Sequence, residues 1–243
     1  MQKKGIEVQI SGDYAMFTTP SSKVSGDKRS YCLPTYEAMI GILNSIYKKP
    51  TFRWRIDQIR VMKPINFESR GIRHLRLDGG TDMANYTYLK DVCYQVRAHI
   101  EWDLSFPELA ADRNYGKHYS IAKRAIKSGG RMNVYLGTSD CQAHVEACDF
   151  DAGEKLSVFS NTGRFPLGIM FHSFTYPEHM TVRERLQLGD EPYVRISYAD
   201  TYLNNGIIEY IVQNDKSFAR LSFYEHKKYE AGKNITPVLK EKM

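Results

Sequence analysis

Residues Arg113–Arg131, RNYGKHYSIAKRAIKSGGR, are the stretch around which the rest of the chain is organised. Its apolar residues recur at helical spacing and are Ile121, Ala122, Ala125 and Ile126. This period predicts a helix over 117–127, and the Ser-Gly-Gly sequence that follows places Gly129 at its C-terminal cap. A strand is predicted on each side, so the stretch supplies the second helix of an α+β fold.

The same stretch contains Lys and Arg but no Asp or Glu, and Lys117 and His118 stand side by side at the predicted helix start. A helix N-terminus has partial positive charge and unpaired N–H groups, which suit an anion. Histidine can transfer a proton near neutral pH. The pair is therefore a candidate phosphate site with a titratable group beside it. The dipeptide alone favours the simpler interpretation, a solvated basic helix.

The composition indicates a globular protein with a polyanionic partner. The chain has 243 residues, 42% of them hydrophobic, a formal net charge of +6 and 17 Tyr. Basic and aromatic surface together suit single-stranded nucleic acid, although Tyr is also a good strand residue. No apolar run approaches the roughly 20 residues that span a bilayer, and the N-terminus has no signal-peptide core. We expect a cytoplasmic protein without a membrane partner.

The cysteines, Cys32, Cys93, Cys141 and Cys148, are then expected to be reduced thiols. Cys141, His144 and Cys148 could supply three zinc ligands, but their spacing matches no common site and no fourth ligand is evident. We therefore predict no metal and no cofactor.

The predicted elements follow the order β-α-β-β-α-β. They are Ile6–Ile10, Thr35–Lys49, Thr51–Met62, Tyr86–Trp102, Lys117–Lys127 and Met132–Phe150, where Met132–Leu136 is predicted as one strand and Val145–Phe150 as a further one. This is the order of a ferredoxin-like (RRM-like) α+β domain, predicted over residues 1–150, in which two helices cover one face of an antiparallel sheet. The other face is expected to be free, as in RNA-recognition modules. The polar stretch Glu68–Ala84 has no predicted element.

Residues 151–243 are predicted to form a small antiparallel β domain with a charged tail from His226. Its short apolar segments are Leu167–Tyr176, Tyr193–Tyr198, Gly206–Val212 and Ala219–Tyr224. Near the N-terminus, Pro20–Pro34 is predicted to be a loop in which Lys28 and Arg29 are exposed. This loop is either an ordinary basic loop or an arm along a phosphate backbone, and the sequence leaves both open.

Several segments together resemble one family. They are GDYAMFTTP (12–20), SYCLPTYEAMIGILNSIYKKP (30–50), IRVMKPINFESRGIRHL (59–75), YLKDVCYQVRAHIEW (88–102), DRNYGKHYSIAKRAIKSGGR (112–131) and VYLGTSDCQAHVEAC (134–148). The chain is identified by them as a member of the pre-crRNA-processing endoribonucleases of subtype I-C CRISPR systems, which are RAMP-superfamily subunits of Cascade. The resemblance implies a ferredoxin-like domain followed by a small β domain.

The resemblance also implies an antiviral activity: metal-independent cutting of the repeat hairpin, followed by retention of the 5′ handle of the guide RNA within Cascade. The implied catalytic residues are Tyr47 at the end of the first helix, Lys117 and His118. The residues predicted to bind RNA are Lys28, Arg29, Arg113, Lys123, Arg124, Lys127, Gly129, Gly130 and Arg131. Two alternatives stay open: a non-catalytic subunit that only binds the handle, and a protein that binds or nicks duplex DNA.

Overall fold

The computed structural model describes residues 5–23, 26–75, 79–104, 106–176, 193–212 and 220–223. The fold is α+β and mostly antiparallel sheet. The strands are β1 Gly5–Ala15, β2 Lys28–Arg29, β3 Phe52–Val61, β4 Asn66–Leu75, β5 Thr81–Trp102, β6 His144–Ala147, β7 Arg164–Thr175, β8 Tyr193–Asn204, β9 Ile207–Val212 and β10 Arg220–Phe223. The helices are α1 Tyr36–Ile46, α2 Tyr115–Lys127 and the short 3-10 helices Pro20–Lys23, Pro107–Asp112 and Glu154–Leu156. No helix in this part of the chain is long and apolar enough to cross a membrane.

The sheet runs β10-β8-β9-β3-β5-β1-β6, with β2 and β4 paired to β5 and β7 paired to β8. Every second side chain of β1 is buried, for example Val8 and Ile10, and these side chains lie on one face of the sheet. Both α-helices pack on this face of β1, β3 and β5. The helices contribute Met39, Leu43, Ile46, Ala122, Ala125 and Ile126 to this core. Burial of one face of a strand and one stripe of a helix is the main stabilising contribution here.

Local sequence determines where both helices begin. Thr35 Oγ1 accepts from Ala38 N at 3.1 Å and Asn114 Oδ1 accepts from Lys117 N at 3.1 Å, so a side-chain oxygen caps each N-terminus. The helices predicted at 35–49 and 117–127 are confirmed, with small shifts at their ends.

The C-terminal end of α2 is a glycine turn. Gly129 has φ +81°, Gly129 N donates to Ile126 O at 3.0 Å, and Gly130 N donates to Ala125 O at 2.8 Å. This is a Schellman motif. The next N–H, that of Arg131, donates to Ile46 O at 3.1 Å. The turn therefore joins the ends of α1 and α2.

This connection explains why the predicted strand at 132–136 is wrong. Met132 N donates to Ser45 O at 3.2 Å, and among the described residues the β pairing of this segment is an isolated bridge between Tyr135 and Gln142. The strand of this region is β6, which begins at His144.

The sequence analysis predicted no element in Glu68–Ala84, and this is also wrong. There β4 and the first half of β5 pair as a long antiparallel hairpin. Most of its side chains are exposed, so the hydrophobic alternation that marks a half-buried strand is missing.

The strands predicted after residue 150 are confirmed as β7 to β10. They extend the same sheet, because Arg60 of β3 pairs with Ile207 of β9. The domain boundary at 150 stays a prediction, and the predicted tail from His226 lies outside the described residues.

The sheet face opposite the helices is partly covered. The ring of Phe150 lies 4.1 Å from the guanidinium of Arg60 and 4.7 Å from that of Arg97. Arg97 also forms ion pairs with Glu7 and Asp151, both at 2.8 Å. The expectation of a free sheet face for RNA therefore does not hold around Arg60 and Arg97. Their guanidinium groups already contact the ring of Phe150, and Arg97 is also paired with carboxylates of the chain itself.

Gly137 gives a stability test of the segment that follows α2. Its φ is +101°, and an added Cβ would lie 1.9 Å from Met16 O. We expect Gly137→Ala to lower the free energy of unfolding by more than the roughly 1–3 kcal/mol of left-handed strain alone. Gly163→Ala is the control, since Gly163 has φ +70° and open space around it. Urea titrations should show a clearly larger loss at 137, and equal losses would contradict the close packing.

Candidate active site

The ends of the two helices bring Tyr47 and His118 together. Tyr47 follows α1 in extended conformation at φ −159°, and its carbonyl accepts from Trp54 Nε1 at 2.7 Å. The phenol oxygen lies 2.8 Å from His118 Nδ1, although the two residues are 71 positions apart in the sequence. Both residues are 0% exposed.

The hydrogen bonds of His118 assign its tautomer. Nε2 lies 2.8 Å from the backbone oxygen of Asp112. A carbonyl oxygen only accepts, so Nε2 carries a proton. In the neutral imidazole Nδ1 is then unprotonated, and the hydroxyl of Tyr47 donates to it. The phenol oxygen keeps lone pairs that can accept from another group.

Aromatic side chains enclose the imidazole. The ring of Phe52 lies 5.2 Å from that of His118, and the ring of Trp102 lies 5.7 Å from it. Tyr115, in the first turn of α2, packs on Trp102 at 4.4 Å and is exposed. Such walls exclude water, so the few polar contacts of His118 act in a low dielectric.

A polar cluster borders this enclosure. Lys117 Nζ lies 2.5 Å from Asp112 Oδ1, and Thr51 Oγ1 donates to Asp112 Oδ2 at 2.8 Å. The same Oδ2 lies 3.3 Å from His118 Nε2. The hydrogen bonds from Lys117 and Thr51 lower the pKa of Asp112 to about 2. The bond to Asp112 raises the pKa of Lys117, which therefore stays an ammonium.

Arg131 approaches the phenol from the glycine turn. Its guanidinium lies 5.5 Å from the ring centroid of Tyr47. Burial raises the pKa of Tyr47, and Arg131 and Lys117 offset part of that shift. The phenol stays protonated at neutral pH, so it acts as a hydrogen-bond donor to Nδ1. Gly129 and Gly130, predicted to bind RNA, form the turn that positions Arg131.

The other predicted RNA-binding residues have different surroundings. Arg113 Nη2 donates to Asp103 O at 3.0 Å and to Phe106 O at 2.8 Å, so its guanidinium holds the chain before α2. Lys123 and Lys127 line a groove of about 730 Å³ between α2, β1 and β6. Arg124 lies on the exposed side of α2.

Lys28 and Arg29 form β2 inside the region predicted to be a loop. They pair with Tyr86 and Thr87 of β5. The ammonium of Lys28 lies 4.7 Å from the ring of Tyr86. This basic surface belongs to the β4–β5 hairpin, away from the helix ends that carry Tyr47 and His118.

Sequence reasoning did not select Asp112, Thr51 or Trp102. Asp112 directly precedes the basic stretch, and an acidic residue five positions before Lys117 was the available signal. Trp102 ends β5, and Thr51 directly precedes β3, whose Phe52 pairs with Trp102. Only that pairing places them beside α2.

The thiol side chains have no arrangement suited to a metal in the described parts of the chain. No group of three or more His, Cys, Asp or Glu there could hold an ion. Burial raises the pKa of Cys141 to about 11 and that of Cys148 to about 11.

Comparisons with known proteins place this chain in a family. A family model described as CRISPR-associated protein (Cas_Cas5) matches residues 5–208. The CRISPR pre-crRNA endoribonuclease Cas5d of Mannheimia succiniciproducens is 30% identical over 229 residues, which are 84% of this chain and 93% of that protein. The protein of the same description from Thermus thermophilus is 29% identical over 154 residues, 59% of this chain and 64% of that protein. A crystal structure of a CRISPR-associated protein has a TM-score of 0.64 at 29% identity and covers 87% of this chain and 97% of its own.

Proposed function

Because the chain belongs to the CRISPR-associated Cas5 family, we propose that it is an endoribonuclease that cuts the repeat hairpin of CRISPR precursor RNA. The observation that carries the proposal is the 2.8 Å contact between Tyr47 and His118, bordered by the ammonium of Lys117. The related protein from Mannheimia succiniciproducens is described as a CRISPR pre-crRNA endoribonuclease, and its similarity covers 84% of this chain.

The fold part of the proposal is a ferredoxin-like domain over 1–150 followed by a smaller β unit over 151–243. It is supported by the sheet order β6-β1-β5-β3 with α1 and α2 on one face. That is the order expected when two β-α-β units share one antiparallel sheet.

RNA contains its own nucleophile, so the protein need not supply one. The ribose 2′-OH attacks the adjacent phosphorus, the bond to the 5′ oxygen breaks, and the products are a 2′,3′-cyclic phosphate and a 5′-hydroxyl. The proposed reaction uses the free lone pairs of the Tyr47 oxygen to accept from the 2′-OH. As that proton moves to Tyr47, the phenol proton can move to Nδ1 of His118, and the departing 5′ oxygen takes a proton from solvent to become the 5′-hydroxyl. The imidazolium then returns its proton to solvent.

Lys117 supplies charge compensation in the same proposal. Its ammonium can contact a non-bridging oxygen, which becomes more negative as the phosphorane forms. Arg131 adds a second cation, 5.5 Å from the ring centroid of Tyr47. Proton transfer and charge compensation are thus both available from side chains, which supports a reaction without a metal ion.

Binding of the product is the second part of the proposal. We infer that the chain retains the 5′ handle of the guide RNA as a subunit of Cascade. Exposed cations on α2 and on the β4–β5 hairpin could contact a phosphate backbone over a longer path than the cleavage site alone.

The test is incubation of the protein with its own CRISPR repeat RNA in excess EDTA. We expect cutting at one position, with a 2′,3′-cyclic phosphate detected by mass spectrometry. A repeat with a single 2′-deoxy substitution before the scissile phosphate should stay intact, because the nucleophile is missing. Loss of cutting in EDTA that returns with Mg²⁺, or cutting of the 2′-deoxy repeat, would refute this mechanism.

A further inference from the structure

We propose that the carboxylate of Asp112 occupies the position of the scissile phosphate, and that Thr51 is a ligand of that phosphate when RNA is bound. The inference rests on the proposed function and adds a residue to it. It starts from the donors that converge on the carboxylate.

Two side chains donate to one carboxylate, those of Lys117 and Thr51, and the ring of His118 lies beside it with its own hydrogen on the backbone oxygen of Asp112. Lys117 Nζ lies 2.5 Å from Oδ1, Thr51 Oγ1 lies 2.8 Å from Oδ2, and His118 Nε2 lies 3.3 Å from Oδ2. An ammonium and a hydroxyl are donors that bind an anionic oxygen, whether it belongs to a carboxylate or to a phosphodiester. Lys117 and His118 are residues with proposed roles at the scissile phosphate.

The solvent exposure of Lys117 and Asp112 favours replacement of the Asp112 carboxylate by an RNA phosphate. The side chains of Lys117 and Asp112 are 54% and 31% exposed. An ion pair that faces water contributes little to stability and exchanges readily. Thr51 is 1% exposed, so Oδ2 of Asp112 covers its hydroxyl, and an entering oxygen would reach it only in place of that carboxylate.

Because Tyr47 and His118 are buried, the exchange of the Asp112 carboxylate for a phosphate would also decide whether RNA can reach them. Neither residue is exposed, so RNA can reach them only if a covering group leaves. When the Asp112 side chain leaves, the Lys117 ammonium and the Thr51 hydroxyl that held it face the vacated position. The backbone oxygen of Asp112 can stay on Nε2 during this change, and the tautomer of His118 is then preserved.

The experiment measures affinity for the 2′-deoxy repeat RNA, which binds without being cut. We expect Asp112→Asn and Asp112→Ala to bind this RNA about 2–5-fold more tightly than the unchanged protein, because a competing anion is lost. Asp57→Asn is the charge-matched control, since Asp57 pairs with His99 in the sheet. The gain should disappear with a neutral methylphosphonate at the scissile position.

Thr51→Val provides the second measurement. It is nearly isosteric and removes only the hydroxyl, and we expect about 3–10-fold weaker binding. The loss should persist in the Asp112→Ala background and be rescued by Thr51→Ser. If Thr51 only orients Asp112, the loss will vanish in that background and the assignment of Thr51 is wrong.

The outcomes separate this inference from the proposed function. A protein that cuts its repeat normally, but whose Asp112→Asn variant binds the 2′-deoxy repeat no better than Asp57→Asn, retains the function and overturns the inference. Failure of the unchanged protein to bind or cut the repeat overturns both. Melting curves of each variant identify loss of fold. If Asp112→Ala does not fold, the affinity of Asp112→Asn for the 2′-deoxy repeat is the deciding measurement.

Discussion

Replacing His118 with alanine is expected to slow cutting of the repeat RNA by about 10²–10⁴-fold, the usual contribution of a general acid–base group. The imidazole lies 2.8 Å from the phenol of Tyr47 through Nδ1, so its removal leaves the hydroxyl without its proton acceptor. RNA affinity should change little, because His118 is 0% exposed and cations at the surface dominate binding. Single-turnover cleavage and a binding titration measure the two quantities.

Two controls separate chemistry from folding. His144→Ala removes an exposed histidine of β6 and should cut at the normal rate. His118→Gln fills more of the buried space than alanine, so a melting temperature close to that of the unchanged protein would show that the fold is intact. Full activity of a folded His118→Ala protein would remove this residue from the mechanism.

Tyr47→Phe is expected to slow cutting by about 10²-fold, as for loss of a hydrogen bond to a group that becomes charged. The ring keeps its contacts with Phe52 and His118, and only the hydroxyl disappears. Nδ1 of His118 is then buried without a donor, which should lower the free energy of unfolding by about 1–3 kcal/mol. The decisive measurement is again single-turnover cleavage with repeat RNA.

Tyr210→Phe is the matched control for this variant. The hydroxyl of Tyr210 donates to Pro34 O at 2.7 Å, so the change also deletes one hydrogen bond, but outside the candidate site. It should cost stability without slowing cleavage. Equal rates for the two variants would mean that the phenol of Tyr47 is only structural.

Local sequence was sufficient to predict those elements that short-range interactions determine. The capping oxygen of Thr35, the helical period of apolar residues and the glycines at 129 and 130 predict both helices, the start of α1 and the end of α2. The start of α2 was predicted two residues late, because Asn114 was not recognised as its cap. The strands after residue 150 were predicted from short apolar segments separated by Gly, Asn and Asp. No such segment marks β4, where most side chains face water.

In the candidate site, too, local sequence determines some features and tertiary structure determines the others. The sequence by itself determined that Tyr47 ends one helix and that Lys117 and His118 begin another, because capping and periodicity are short-range effects. Only the tertiary structure decided that these ends meet with His118 buried and Asp112 held by Thr51 and Lys117. The reason is that the Schellman turn bonds to α1 and the pairing of β3 with β5 brings Thr51 and Asp112 together from 61 positions apart. No local pattern encodes such a distance.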